Sequence, residues 1–120
     1  MNIIIKATHH ELTLGTRRLI EEKFSALEKL VESSTSPAML ACEIEESIAA
    51  MRAGAKYRAE GNLSVDGKLF RAEANGNTLE AAVDSVRDDL MRELQHARGK
   101  ERGLMKRGGA AIKRILRFGR

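Results

Sequence analysis

Hydrophobic and polar positions along the 120-residue chain predict the order of its strands. Residues 2–7, NIIIKA, form a β-branched run that ends in polar residues and predicts a first strand. Over residues 39–47, Leu40, Cys42 and Ile44 alternate with small or acidic residues. Because a period of two places alternate side chains on opposite faces, this stretch indicates a half-buried second strand.

The clearest local pattern lies in residues 57–76, where Asp66-Gly67 separates two alternating runs. Such a pair is typical of a two-residue hairpin turn. The turn predicts a register in which three facing pairs share one buried side of the sheet: Leu63 with Phe70, Gly61 with Ala72, and Ala59 with Ala74. The opposite side is charged and is predicted to be solvated. The preceding stretch, 47–55, is interpreted as a long connection or an extended hairpin tip.

Two segments have the helical period. The first helix is predicted to begin after Thr13 as N-cap. Its apolar stripe contains Ile20, Phe24, Leu27 and Val31.

The second helix is predicted to begin after Asn77 or Thr78, with Glu80 placed for a capping box from Asn77. Its apolar stripe contains Leu79, Val83, Val86, Leu90, Leu94 and Ala97, and Gly99 is predicted to end it. The order β-α-β-β-β-α predicts an α+β fold, a four-stranded sheet with both helices packed on one face. We expect this domain over residues 1–99 and a basic tail without fixed structure of its own over 100–120.

Charge is divided unevenly along the chain. Residues 100–120 carry eight Lys or Arg and one acid, so 8 − 1 = +7, whereas residues 1–99 carry thirteen against sixteen, so 13 − 16 = −3. A tail of this charge is suited to a polyanion, either nucleic acid or an anionic membrane surface.

Several classes of site are disfavoured by composition. Cys42 is the single cysteine, which excludes an intrachain disulfide and a zinc cluster of several thiolates. Its place on the apolar side of a strand predicts a buried structural thiol. His9, His10 and Glu11 are interpreted as a polar loop rather than a metal site, and we expect no cofactor. No signal peptide or membrane-spanning run is recognisable, so we expect a soluble, cytoplasmic protein.

Basic residues form a continuous track from the second helix into the tail. The track contains Arg92, His96, Arg98, Lys100, Arg102, Lys106 and Arg107. The helix dipole alone favours cations at a helix C-terminus, so the continuity of the track is the informative feature. On the first helix, Arg18 and Lys29 share an outward face and Lys23 lies on its flank. These cations combine with the track only if the two helices lie side by side.

Two stretches carry a resemblance to a known family. ELTLGTRRLIEEKFSALEKL at 11–30 and LSVDGKLFRAEANGNTLEAAVDSVRDDLMRELQHARGK at 63–100 resemble the short ribosome hibernation promoting factors, which include ribosome-associated inhibitor A and are also called sigma-54 modulation proteins. The resemblance implies a fold akin to double-stranded-RNA-binding domains. It also implies a non-catalytic protein that binds the small ribosomal subunit where messenger and transfer RNA sit, and that preserves idle ribosomes.

By position, the resemblance implies RNA-facing roles for Arg17, Lys23, Arg92, His96, Arg98 and Lys100, with Lys29 a weaker match. We add Arg18, Arg102, Lys106, Arg107, Lys113, Arg114 and Arg117 to the expected rRNA-binding set, because they continue the same basic surfaces. The sequence departs from the family where Asp89 replaces a common Lys and where Leu79-Glu80 replaces an aromatic-containing pair. Residues 47–56 look longer than the short relatives need.

The leading hypothesis is therefore a translation inhibitor that binds ribosomal RNA. We expect it to be a monomer when free and to use no small-molecule substrate. The alternative is a peripheral membrane protein, since Ile112, Ile115, Leu116 and Phe118 with the tail cations form a short basic amphipathic pattern. A small metal enzyme is a third hypothesis, and it depends only on His9, His10 and Glu11.

Overall fold

The computed structural model describes residues 1–46 and 56–106, with side chains up to residue 99. Its strands are β1 (Asn2–Thr8), β2 (Met39–Glu46), β3 (Tyr57–Val65) and β4 (Lys68–Gly76). Its helices are α1 (Leu14–Phe24), a 3₁₀ turn (Ser25–Leu27), α2 (Glu28–Val31) and α3 (Leu79–Lys106). The prediction for 47–55 falls outside the described residues.

The four strands form one sheet in the order β1-β2-β3-β4. β1 and β2 are parallel, and the two following pairs are antiparallel. The helical segments cover one face, where alternate strand residues such as Leu40, Ile44 and Leu63 are fully buried. The predicted α+β architecture is thus confirmed.

The β3-β4 hairpin has the predicted register, with Leu63 opposite Phe70 and Gly61 opposite Ala72. Asp66 and Gly67 have φ values of 47° and 80°. Positive φ at both central residues is what a type I′ turn requires. The Asp66 carboxylate also accepts hydrogen bonds from the Thr35 amide at 3.0 Å and the Thr35 hydroxyl at 2.8 Å, which join the turn to the loop before β2.

The core contains the apolar stripes predicted for both helices. Ile20, Phe24 and Leu27 from the first stripe are fully buried, and so are Val83, Val86 and Leu90 from the second. Cys42 is buried among them, as predicted. Burial raises the pKa of its thiol to about 12, so the thiol is protonated at neutral pH and unreactive.

The first helix begins where it was predicted to begin. The Thr16 amide donates to the Thr13 hydroxyl at 3.1 Å, which is the expected N-cap bond. The helix is not continuous, however, because a 3₁₀ turn separates α1 from α2. The Ser25 hydroxyl donates to the Glu22 carbonyl at 2.6 Å, a side-chain bond that competes with the backbone ladder at this point.

Two predictions about α3 are corrected. Thr78, one of the two predicted caps, is confirmed, since its hydroxyl accepts from the Ala81 amide at 3.0 Å, but the capping box with Asn77 is wrong, because Glu80 contacts Lys23 instead. Gly99 does not end the helix, which continues to Lys106. Each helical glycine costs only about 1 kcal/mol, and although Gly103 is a second one, good helix formers such as Lys, Glu, Arg, Leu and Met also follow Gly99.

Gly61 and Gly99 predict opposite effects of the same substitution. A Cβ added at Gly61 would lie 2.9 Å from Val86 Cγ1 and 3.1 Å from Leu90 Cδ1, whereas none of the described atoms lies within 4 Å of one added at Gly99. We expect Gly61→Ala to lower the free energy of unfolding by about 1–3 kcal/mol through overpacking. Gly99→Ala should raise it by about 0.5–1 kcal/mol through helix propensity. Urea unfolding followed by circular dichroism measures both, and a neutral Gly61→Ala would contradict the close packing of α3 on β3.

Asp66 predicts a pH dependence. The hydrogen bond from the Thr35 hydroxyl, with those from the amides of Thr35 and Ser36, holds the pKa of Asp66 below its ordinary value of 3.8. A lowered carboxyl pKa contributes stability above the unfolded-state pKa, and that stability is lost as the pH falls through the folded-state pKa.

Asp66→Asn keeps the turn, since Asn tolerates positive φ, but removes the charge. We expect it to destabilise the fold at neutral pH and to differ less and less from the parent protein below about pH 4. Urea unfolding across that range tests this. A stability difference that is constant with pH would contradict the assigned role.

Candidate functional site

The two long helical segments lie side by side and run in the same direction. Lys23, in α1, contacts Glu80 and Asp84 in the first turns of α3. Leu30, in α2, borders the same cavity as Leu94 and Arg98, further along α3. Because the helices lie side by side, cations of both can belong to one surface. The position of each cation along its helix determines which of them lie close together.

The predicted cations fall into two groups. Lys29 lies at the end of the domain where Arg92, His96 and Arg98 lie on α3. Arg17 precedes Lys29 by twelve residues, about 18 Å along a helix, so it and Arg18 lie towards the beginning of α3. Between the two groups α3 carries acids, namely Glu80, Asp84 and Asp88.

Lys23 is held between the helices. Its Nζ lies 2.9 Å from Glu80 Oε1 and 3.2 Å from Asp84 Oδ1, and its side chain is 22% exposed. Arg87 NH1 lies 3.1 Å from the same Asp84 oxygen. That oxygen is buried and receives no hydrogen bond of good geometry from the described residues, so the two cations hold it chiefly by charge. The contact with the Glu80 carboxylate, followed by that with Asp84, raises the pKa of Lys23, so the ammonium stays charged.

Two further cations of the predicted set are also paired within the protein. Arg17 NH1 lies 4.0 Å from Glu21 Oε1, and Arg92 NH1 lies 3.0 Å from Asp89 Oδ1. Asp89 was the acid that departs from the family pattern, and it partly neutralises Arg92, whose side chain is 75% exposed. Side-chain pairs of this kind contribute little to stability and exchange readily.

The other predicted cations whose side chains are described lack such an ion pair with any described residue. Arg18, Lys29, His96 and Arg98 form no ion pair with any residue whose side chain the structure describes. A phosphate can approach them without displacing a described carboxylate. Lys100, Arg102 and Lys106 continue along the α3 backbone, whereas Arg107, Lys113, Arg114 and Arg117 lie outside the described residues.

Sequence reasoning missed two cations near these groups. Arg87 is paired with Asp84 and Asp88, and its spacing of three residues from Asp84 was the available signal. Lys68, at the start of β4, borders the same cavity as Arg98. No local sequence pattern indicates that contact, because thirty residues separate the two positions.

The polar loop after β1 has a structural contact. His10 Nδ1 lies 3.1 Å from Glu46 Oε2, and Lys56 Nζ lies 3.1 Å from the other oxygen of that carboxylate. The His10 hydrogen bond, followed by that of Lys56, lowers the pKa of Glu46.

Over residues 1–46 and 56–99 the structure groups no three His, Cys, Asp or Glu side chains as metal ligands. Among the described helices, none is long and apolar enough to cross a membrane.

Lys23 and Arg18 provide a matched pair for testing the contact between helices. Both are α1 cations, but Lys23 joins α1 to α3 and Arg18 does not. We expect Lys23→Gln to lower the melting temperature by a few degrees, on the order expected for one exposed ion-pair cluster, and Arg18→Gln to leave it unchanged. The difference should shrink in high salt, because exposed pairs are screened. Equal melting temperatures for the two variants at low salt would contradict a bridging role of Lys23.

Comparison with known proteins agrees with the fold. The N-terminal domain of Protein Y from Thermus thermophilus matches with a TM-score of 0.68 and 25% identity, over 80% of this chain and 98% of that one. A ribosomal subunit interface protein from Coxiella burnetii also matches with a TM-score of 0.68, at 15% identity, over 82% of this chain and 99% of that one. The search of curated proteins found no match.

Residues 3–102 match the profile of the family described as Sigma 54 modulation protein / S30EA ribosomal protein. The matched residues include β1 from Ile3 onward, the other three strands, and α3 as far as Arg102. The resemblance noted from the sequence is thereby confirmed. The chain belongs to the Sigma 54 modulation protein / S30EA ribosomal protein family, a family of ribosome-associated factors rather than of enzymes.

Proposed function

We propose that this protein is a non-enzymatic translation inhibitor of the cytoplasm. It binds the small ribosomal subunit as a monomer, occupies the sites of messenger and transfer RNA, and stabilises dormant ribosomes. The observation that carries the proposal is the family match over residues 3–102, combined with a basic track that begins at Arg92 and continues along α3.

Unpaired cations make the end of the domain near Arg98 the favoured contact with RNA. Each phosphate that a cation neutralises releases condensed counterions, which supplies most of the affinity for a polyanion. Lys29, His96 and Arg98 meet phosphates without losing a described ion pair, whereas Arg92 must exchange Asp89 for phosphate. The contact is to phosphates and to RNA shape rather than to base edges, as is usual for structured RNA.

The acidic residues in the first half of α3 influence where on the helix the RNA binds. Glu80, Asp84 and Asp88 occupy the cations Lys23 and Arg87, so the first half of the helix offers phosphate less attraction than the second half. Lys23 belongs to this neutralised region, and its role in the free protein is to hold the helices together. In this proposal its loss weakens RNA binding indirectly, through the position of α3.

Sedimentation with purified ribosomal particles tests the proposal. The protein should sediment with small subunits and whole ribosomes, and it should compete with messenger and initiator transfer RNA for binding. It should also reduce synthesis in a reconstituted translation system. Absence of association with small subunits at moderate salt contradicts the proposal, and flotation with anionic liposomes in place of ribosome binding would favour the membrane alternative.

The contribution of the tail is predicted from a truncation. Removing residues 107–120 keeps α3 whole and removes five cations. If each contacts a phosphate, the slope of log affinity against log salt should become shallower by about 3.5–4.5. The melting temperature should not fall, because none of the described core residues is removed.

A charge-only variant is the matched control for the truncation. Lys113, Arg114 and Arg117 changed together to Gln keep the apolar tail residues and should reproduce about three fifths of the change in slope, if the effect is electrostatic. A truncated protein with unchanged affinity and slope would assign the binding to the helix cations alone.

A further inference from the structure

A cavity of about 180 Å³ lies where α2, the β3-β4 turn and the second half of α3 meet. Leu30 and Val31 border it from the first helical layer, Phe70 from the sheet, and Leu94 and Ala97 from α3. The bottom of the cavity is thus formed by the edge of the hydrophobic core. Arg98 borders it beside Leu94 and Ala97.

The rim of the cavity is cationic in effect. Arg98 and Lys68 border it, together with Ser33 and the single acid Asp66. Asp66 accepts hydrogen bonds from Thr35 and Ser36, which hold its carboxylate at the turn. Arg98 has no ion-pair partner among the described side chains. An anionic group at the mouth is therefore favoured over a neutral or cationic one.

The volume is that of one aromatic ring. An engineered apolar cavity of about 150 Å³ holds benzene. The present cavity is somewhat larger and has a polar mouth, so it suits a flat heteroaromatic ring that carries an anionic substituent. A nucleotide has this combination, and a pyrimidine fits the volume better than a purine does.

We propose that this cavity receives a single unstacked nucleotide of RNA, preferentially a pyrimidine. Its base lies against Phe70 and Leu94, and its phosphate lies at Arg98. Bases displaced from a stack are commonly bound in this way, by apolar or aromatic walls with a cation on the backbone. The inference rests on the proposed binding to ribosomal RNA, and it adds to that binding a defined pocket next to the basic track.

Binding to the free protein is the first test, with uridine 5′-monophosphate and hexauridylate as probes in amide NMR. We expect concentration-dependent shifts confined to residues around the cavity, stronger than those caused by adenosine 5′-monophosphate. Inorganic phosphate at the same concentration should move only the rim near Arg98. If phosphate and both nucleotides cause identical shifts, the site binds anions without recognising a base, which contradicts the inference. Absence of shifts with hexauridylate would also overturn it.

A cavity-filling variant is the second test. Ala97→Met fills the pocket without changing charge, and the exposed Ala81, on the same helix, gives the control Ala81→Met. We expect Ala97→Met to retain or raise the melting temperature, since it fills a void, while it lowers affinity for small subunits about tenfold. Ala81→Met should leave that affinity unchanged. A merely structural role of Ala97 predicts that stability and affinity change in the same direction.

A charge variant keeps the test decisive if Ala97→Met does not fold. Arg98→Gln should abolish the uridylate shifts, Arg98→Lys should restore part of them, and Arg92→Gln should preserve them while making ribosome binding less salt-dependent. Unchanged ribosome affinity in both cavity variants would overturn the pocket and leave the proposed function intact. Uridylate binding without any ribosome association would support the pocket and contradict the proposed function.

Discussion

The close approach of α3 to β3 is the contact on which the rest of the structure depends. Gly61 provides it, because Val86 and Leu90 occupy the space that any Cβ at this position would need. The small Ala59 and Ala72 beside it on the same face are also buried. α3 can therefore pack directly on the hairpin, and the direction of the helix is fixed by the core rather than by its charged surface. The basic track inherits that direction, because it lies on the same helix.

Electrostatics divides this helix into two functional halves. In the first half, Lys23 and Arg87 neutralise Asp84, so charges serve the packing of helix on helix. In the second half, His96 and Arg98 form no ion pair with any residue whose side chain the structure describes. The body has a net charge of −3, yet Lys29, His96 and Arg98, which form no ion pair with any described side chain, lie towards the same end of it. Net charge alone would have suggested a protein in which only the tail meets RNA.

The sequence predicted those features that depend on neighbours in the chain. The Asp66-Gly67 turn determines the hairpin register, and the alternation around Cys42 determines which face is buried, so both were confirmed. The end of α3 was wrong, because a glycine stop signal is weaker than the helix propensity of the residues that follow. The contact of Lys23 with Glu80 and the position of Arg98 at the cavity beside the hairpin depend on tertiary packing, and no sequence period encodes them. The rRNA-facing roles of the individual cations stay predictions.

The polarity of α3 also determines how it can bind an anion. Anions are usually attracted to a helix N-terminus, where free amide groups and the dipole are favourable. Here the basic track runs to the C-terminal end, where the last turn, near Lys106, disfavours a phosphate by about 0.3–1 kcal/mol. The attraction of phosphate to the side-chain cations must therefore exceed the unfavourable effect of the helix dipole. Several cations are needed for this, whereas a helix N-terminus would need few. This explains why the track continues from Arg92 beyond the last core contact at Leu94 into a helix extension that contributes no described core residue. The extension is costly for folding alone, since it includes Gly99 and Gly103, and its length is accounted for by the number of charges that it carries away from the acidic body.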